Sequence, residues 1–174
     1  ADATEHVFEP TADLLTSRFG VMFFAEPERA FRNLGGGLRP GGRLVFACWQ
    51  ALEHNPWIDF IMEAFPEVEP PFPAPDDGPG PFSLADPEHA RGLLRRAGFE
   101  DVRAEPFATT LSLGPNPDDA LEGMSEIGPF SRLLSTADDD QRPGLVARAR
   151  AFLQEAYRDA PPRPAAAIWI LRAL

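Results

Sequence analysis

The stretch DLLTSRFGVMFFAEPERAFRNLGGGLRPGGRLVFACWQ, Asp13–Gln50, decides the fold. With Ala12 it opens as ADLLTSRF over residues 12–19, a short apolar run with a polar end, which predicts a strand. Glu26-Pro27-Glu28 comes next. Proline suits a first helical turn, where no backbone N–H is needed, and acids suit the positive end of a helix. Ala30, Phe31, Leu34 and Leu38 then recur at helical spacing, predicting an amphipathic helix over 27–38. Gly35, Gly36 and Gly37 weaken its last turn, and Pro40-Gly41-Gly42 turns the chain. Arg43–Trp49, RLVFACW, is almost continuously apolar, the pattern of a parallel strand buried on both faces.

Outward from this core, Asn55-Pro56 is a cap followed by a first-turn proline, and Ile58, Ile61, Met62 and Phe65 give one face of a short helix. Residues 66–81 hold seven prolines, too many for regular structure, and predict a loop or mobile lid. Asp86-Pro87-Glu88 starts a helix with Ala90, Leu93, Leu94 and Ala97 inward and Gly98 at its end. Val102–Leu113 alternates as a strand. Asn116-Pro117-Asp118 opens a helix with Leu121, Met124 and Ile127 inward; Leu145–Tyr157 is a further amphipathic helix, and AAAIWILRAL, Ala165–Leu174, is a closing strand. This order of strands and helices is α/β. The repeated tetrapeptide GPFS, at Gly80–Ser83 and Gly128–Ser131, has unmatched flanks and marks no repeat.

Composition bounds the function. The 174 residues suit a single domain, 1–174, with 66–81 as a loop within it. All 16 basic residues are arginine, and 27 acids leave a net charge of −11. That balance argues against a nucleic-acid backbone or an anionic membrane as partner. No apolar run reaches the roughly 20 residues that span a bilayer, and no signal peptide is visible, so a cytoplasmic chain is expected. The single cysteine, Cys48, excludes an internal disulfide, and its apolar strand predicts an inert thiol.

Most candidate sites fail on spacing. Gly35-Gly36-Gly37 lacks the G-x-G-x-x-G pattern and lies between a helix and a strand, whereas phosphate loops leave a strand and open a helix. His6, His54 and His89 are scattered, so no metal site is expected. No G-x-S-x-G elbow occurs. Two features remain. Ser17-Arg18-Phe19 ends the first strand, where open α/β sheets place ligands, and Trp49 ends the second, with Asn55 and Trp57 shortly after. These side chains would converge on one crevice; equally, Phe19, Trp49 and Trp57 could simply be packing residues.

The quoted stretch, with the Ala1-Asp2-Ala3 start, the LRPGGRL turn and strand, Asn55-Pro56-Trp57, PGPFSLADPEHARGLLRRAGFEDV at Pro79–Val102 and the terminal AAAIWILRA, resembles the carboxyl-terminal part of a class I S-adenosylmethionine-dependent methyltransferase. The resemblance implies a Rossmann-like sheet with flanking helices, S-adenosylmethionine as cofactor and a small-molecule acceptor. It implies an adenine contact from Asp2 and Ala3, a methyl-donor lining from Ser17, Arg18 and Phe19, and an acceptor side from Trp49, Asn55 and Trp57. The glycine-rich cofactor loop and the ribose-binding acid of that family have no counterpart in these residues. The alternative is a truncated, non-catalytic binding or assembly module. The strand over 12–19 would then form an open sheet edge, for which a homodimer is the expected cover.

Overall fold

The structure is a computed structural model, and it describes residues 2–66 and 78–174. In chain order it contains β1 (Ala12–Arg18), α1 (Pro27–Gly35), β2 (Leu38–Trp49), α2 (Asp59–Ala64), α3 (Pro87–Arg96), β3 (Arg103–Thr110), α4 (Pro117–Glu126), α5 (Pro129–Thr136), α6 (Arg142–Ala156) and β4 (Ala165–Ala173), with three single turns of 3-10 helix at Val21–Phe23, Leu52–His54 and Pro56–Ile58. The α/β class is as the sequence predicts. Several prolines are placed as helix starters: Pro27, Pro56, Pro87, Pro117 and Pro129 each open a helical segment, where a missing N–H costs nothing.

The described residues group into two compact units, one of 2–52, 78–108 and 167–174, the other of 53–66 and 109–166. The first unit carries the sheet. Its strand order is β1-β2-β4-β3; β1 runs parallel to β2, and β4 is inserted antiparallel between β2 and β3. A tight hairpin cannot join parallel strands, so α1 makes the crossover from β1 to β2. β3 is an edge strand, which is why it tolerates Pro106.

Register decides which side chains are covered. Leu15 and Ser17 of β1 lie beside Leu44 and Phe46 of β2, and Leu44, Phe46 and Cys48 lie beside Ala173, Leu171 and Trp169 of β4. Strand alternation puts this set on one face. That face packs on Phe31 and Leu34 of α1 and on Ala90, Leu93 and Leu94 of α3. Phe31 stacks on Phe46 with ring centroids 5.4 Å apart. Glu28 of α1 accepts from Arg96 of α3 and from Arg32, tying the helices together at the surface; the Arg96 hydrogen bond is the largest cause holding the Glu28 carboxyl below its ordinary range.

The second unit is helical. Phe60, Phe65 and Phe130 pack with Ala120, Leu121, Ala149 and Leu153, and the Arg148 guanidinium lies 4.8 Å from the centre of the Phe65 ring. Asn116 caps α4 by accepting from the N–H groups of Asp118 and Asp119, both at 3.0 Å. The sequence signals for α3 and α4 are thus met by cap geometry, Asp86 accepting from Glu88 N–H at 2.9 Å in the same way.

Three local expectations are revised. α1 stops at Gly35, not residue 38, because Gly36 N–H closes onto the carbonyls of Arg32 and Asn33. Pro40-Gly41-Gly42 does not end a turn before the strand but sits in a bulge within β2, between the Ala12–Leu38 and Leu14–Arg43 pairings, with Gly41 at φ 80°. Ile127, expected inward, is 78% exposed, because α4 ends at Glu126 and the chain there is extended. The proposed lid over 66–81 lies mostly outside the described residues. At its carboxyl end, Gly80 and Pro81 are buried, and Gly80 N–H donates to the Met22 carbonyl at 3.0 Å.

Candidate functional site

The carboxyl ends of β1 and β2 lie side by side, since the two strands are parallel and in register to Arg18–Ala47. Phe19 continues the ladder one residue further, its N–H donating to the Ala47 carbonyl at 3.0 Å. It then turns left-handed, with φ 61°. A bulky side chain rarely occupies that region, and such strain concentrates at functional sites. The turn throws the Phe19 ring onto Trp49, at the end of β2; the centroids are 4.3 Å apart and the planes 16° from parallel. Both rings are half-buried. A flat aromatic platform therefore stands where open α/β sheets bind ligands.

Ser17 and Arg18 flank this platform differently. Ser17 lies beside Phe46 on the helix-covered face, and a side chain on Gly20 would come within 3.3 Å of its Oγ, so Gly20 lets the chain fold close over Ser17. Arg18 points to the other face, where it is exposed and has no hydrogen-bond or ion-pair partner among the described residues. Phe19 and Trp49 are thus in contact in the first unit, with Ser17 and Arg18 next to them in the chain but facing opposite sides of the sheet.

Asp2 and Ala3 are placed elsewhere. The Ala3 carbonyl accepts from Asn33 Nδ2 at 2.7 Å, near the carboxyl end of α1. Because α1 returns from the carboxyl end of β1 to the start of β2, this anchor lies at the amino ends of the strands. Asp2 accepts from the Thr4 hydroxyl and N–H, and these two hydrogen bonds hold its carboxyl below the ordinary 3.8. Asn55 and Trp57 belong to the second unit. Asn55 is fully buried and its Oδ1 accepts from Trp57 Nε1 at 3.0 Å, so the pair fixes the turn at Pro56. Gln50, which the sequence reading passed over, is buried at the end of β2, where its Nε2 donates to the Ile168 carbonyl at 2.8 Å and its N–H donates to Ala167. Its position directly after Trp49 is the only sequence signal that could have found it.

Cys48 is buried between the sheet and the 78–85 segment, its thiol donating to the Leu84 carbonyl at 3.6 Å. Burial pushes its pKa up to about 12, as expected of an inert thiol. No group of three or more histidine, cysteine, aspartate or glutamate side chains is placed to hold a metal among the described residues. Gly35–Gly37 caps α1 and lies at the amino ends of the strands, away from Phe19 and Trp49.

Comparison with solved structures identifies this architecture. A protein of Anabaena variabilis described as a methyltransferase of an antibiotic biosynthesis pathway matches with a TM-score of 0.58 at 15% identity, over 97% of this chain and 70% of its own. The YcgJ protein of Bacillus subtilis matches with a TM-score of 0.52 at 10% identity, over 99% and 68%. The phosphoethanolamine N-methyltransferase 2 of Haemonchus contortus, solved with S-adenosylhomocysteine, matches with a TM-score of 0.46 at 18% identity. The chain spans only 36% of the length of that enzyme. No family model and no curated protein matches the sequence. The chain carries the fold of the class I methyltransferases, in agreement with the resemblance drawn from its residues.

Proposed function

We propose that residues 1–174 form the carboxyl-terminal part of an S-adenosylmethionine-dependent methyltransferase domain acting on a small molecule. The observation that carries this reading is the Phe19–Trp49 stack at the carboxyl ends of two parallel strands, with Phe19 held in a left-handed backbone. When bound, the cofactor supplies a methyl group on a positively charged sulfur. Such a transfer asks alignment of the protein more than proton chemistry; well-oriented reactants gain roughly 7–11 kcal/mol of the barrier. Aromatic faces favour the cation by on the order of 0.5–2 kcal/mol. In this reading Ser17, Arg18 and Phe19 line the cofactor side and Trp49 faces the acceptor. Asp2 and Ala3 are left out of the site, since their backbone is tied to α1 at the other end of the strands. Asn55 and Trp57 have a local structural role in their own turn.

The test is quenching of tryptophan fluorescence by S-adenosylhomocysteine in a Trp57→Phe background. S-adenosylhomocysteine carries no sulfonium charge, so the aromatic wall offers it stacking alone, about 0.5–1.5 kcal/mol, and binding in the millimolar range or weaker is expected. Saturable quenching in that range, weakened by Phe19→Leu, is the expected result. No quenching, or quenching that Phe19→Leu leaves unchanged, overturns the reading.

A further inference from the structure

Gln50 is a polar side chain buried where a strand ends. It follows Trp49, the last residue of β2, and is only 9% exposed. Burying an amide is unfavourable unless its hydrogen bonds are remade inside the protein. Two bonds to β4 answer that cost. The Gln50 Nε2 donates to the Ile168 carbonyl at 2.8 Å, and the backbone N–H donates to the Ala167 carbonyl at 3.0 Å. Ile168 is the residue that lies directly opposite Trp49 in the antiparallel β2–β4 pair. Gln50 therefore clasps β4 at two successive carbonyls, one of them on the cross-strand partner of Trp49.

Strand ends are the part of a sheet that opens most readily. The Trp49 ring nonetheless has to keep one place, because it lies on Phe19 with centroids 4.3 Å apart and planes 16° from parallel. Phe19 is fixed on its own side by the bond from its N–H to the Ala47 carbonyl. Gln50 supplies the matching fixation on the Trp49 side, and all of these residues belong to the first unit. An apolar side chain of the same length would fill the space but hold the strand end to β4 by its backbone alone.

We infer that Gln50 is a positioning residue, which keeps the Trp49 indole in its stack with Phe19 by clamping the end of β2 to Ala167 and Ile168 of β4. It acts through Trp49 and not by contact with a ligand. Its bearing on methyl transfer rests on the cofactor reading of the Phe19–Trp49 platform.

Near-ultraviolet circular dichroism of the full chain in the Trp57→Phe background reads the stack, as the difference between that parent and its Phe19→Leu variant. Gln50→Met keeps the side chain's length and removes its donor. It should lose most of that difference while the far-ultraviolet spectrum is retained. Once Phe19 is already leucine it should add little, since residues that act on one contact are not additive. A second check needs no variant: the side-chain amide protons of Gln50 should exchange with solvent about tenfold or more slowly than those of free glutamine. A full stack signal in Gln50→Met, an equal effect with and without Phe19, or side-chain exchange at the free rate overturns the inference. Lower stability with an unchanged stack signal overturns it too, because Gln50 would then serve the sheet alone. In the quenching titration with S-adenosylhomocysteine, Gln50→Met should weaken binding about two- to tenfold, as Phe19→Leu does, and the two together no further. Absence of quenching in the parent overturns the cofactor reading alone, because the dichroism needs no ligand.

Discussion

Replacing Phe19 separates two forces that meet at one residue. The ring stacks on Trp49 at 4.3 Å, and the backbone holds φ 61°. Phe19→Ala and Phe19→Gly both remove the ring, with a common loss of roughly 2 kcal/mol for a half-buried aromatic in a stacked pair. They differ in the backbone. Alanine keeps a Cβ in the left-handed region, at about 1–2 kcal/mol. Glycine sheds that strain but carries about 0.5–1 kcal/mol more chain entropy into the unfolded state. The glycine variant should therefore be the more stable of the two by on the order of 0.5–1 kcal/mol, the reverse of the order at an ordinary strand position. Urea unfolding in a Trp57→Phe background reads this directly, because the remaining reporters, Trp49 and Trp169, both lie in the first unit. An alanine variant as stable as the glycine variant, or more so, would refute the reasoning that Phe19 is strained in the native state.

Three other outcomes are expected. Cys48, with its pKa pushed up to about 12 against an ordinary 9.0, keeps its proton in the folded chain where the unfolded chain loses it; its contribution to stability is full below pH 9.0 and falls as pH rises toward 12, and its reaction with a thiol reagent at pH 8 should be at least about a thousandfold slower than in the unfolded chain. Asn116→Ala removes the cap of α4 and should cost about 1 kcal/mol in chemical denaturation, with Asn116→Asp close to wild type. Phe130→Ala empties a fully buried site against Phe60 and Phe65 and should destabilise by about 3–5 kcal/mol, seen as faster amide exchange in α4 and α6.

The local elements were legible because their signals are local. Asp86-Pro87 and Asn116-Pro117 announce helix starts whose caps form as read, and the continuous apolar run of Arg43–Trp49 announces a strand of the sheet. α5 was not read from the sequence, because Pro129–Thr136 follows Gly128 without a capping side chain. Phe19 and Trp49 were singled out by position, but their stacking depends on a left-handed backbone that no periodicity encodes. The insertion of β4 between β2 and β3 is likewise invisible along the chain, since pairing partners are chosen by packing across more than a hundred residues. Asp2 and Ala3 show the same limit: the backbone of a short polar segment goes where Asn33 offers it a donor, and that site is set by the helix, not by the segment's own sequence. The sequence by itself thus determined the kinds of element and the apolar faces they carry, because capping, proline placement and periodicity act within a few residues. Only the tertiary structure decided strand order, which face is covered and which residues meet at the carboxyl ends of the strands, because those follow from contacts between distant segments.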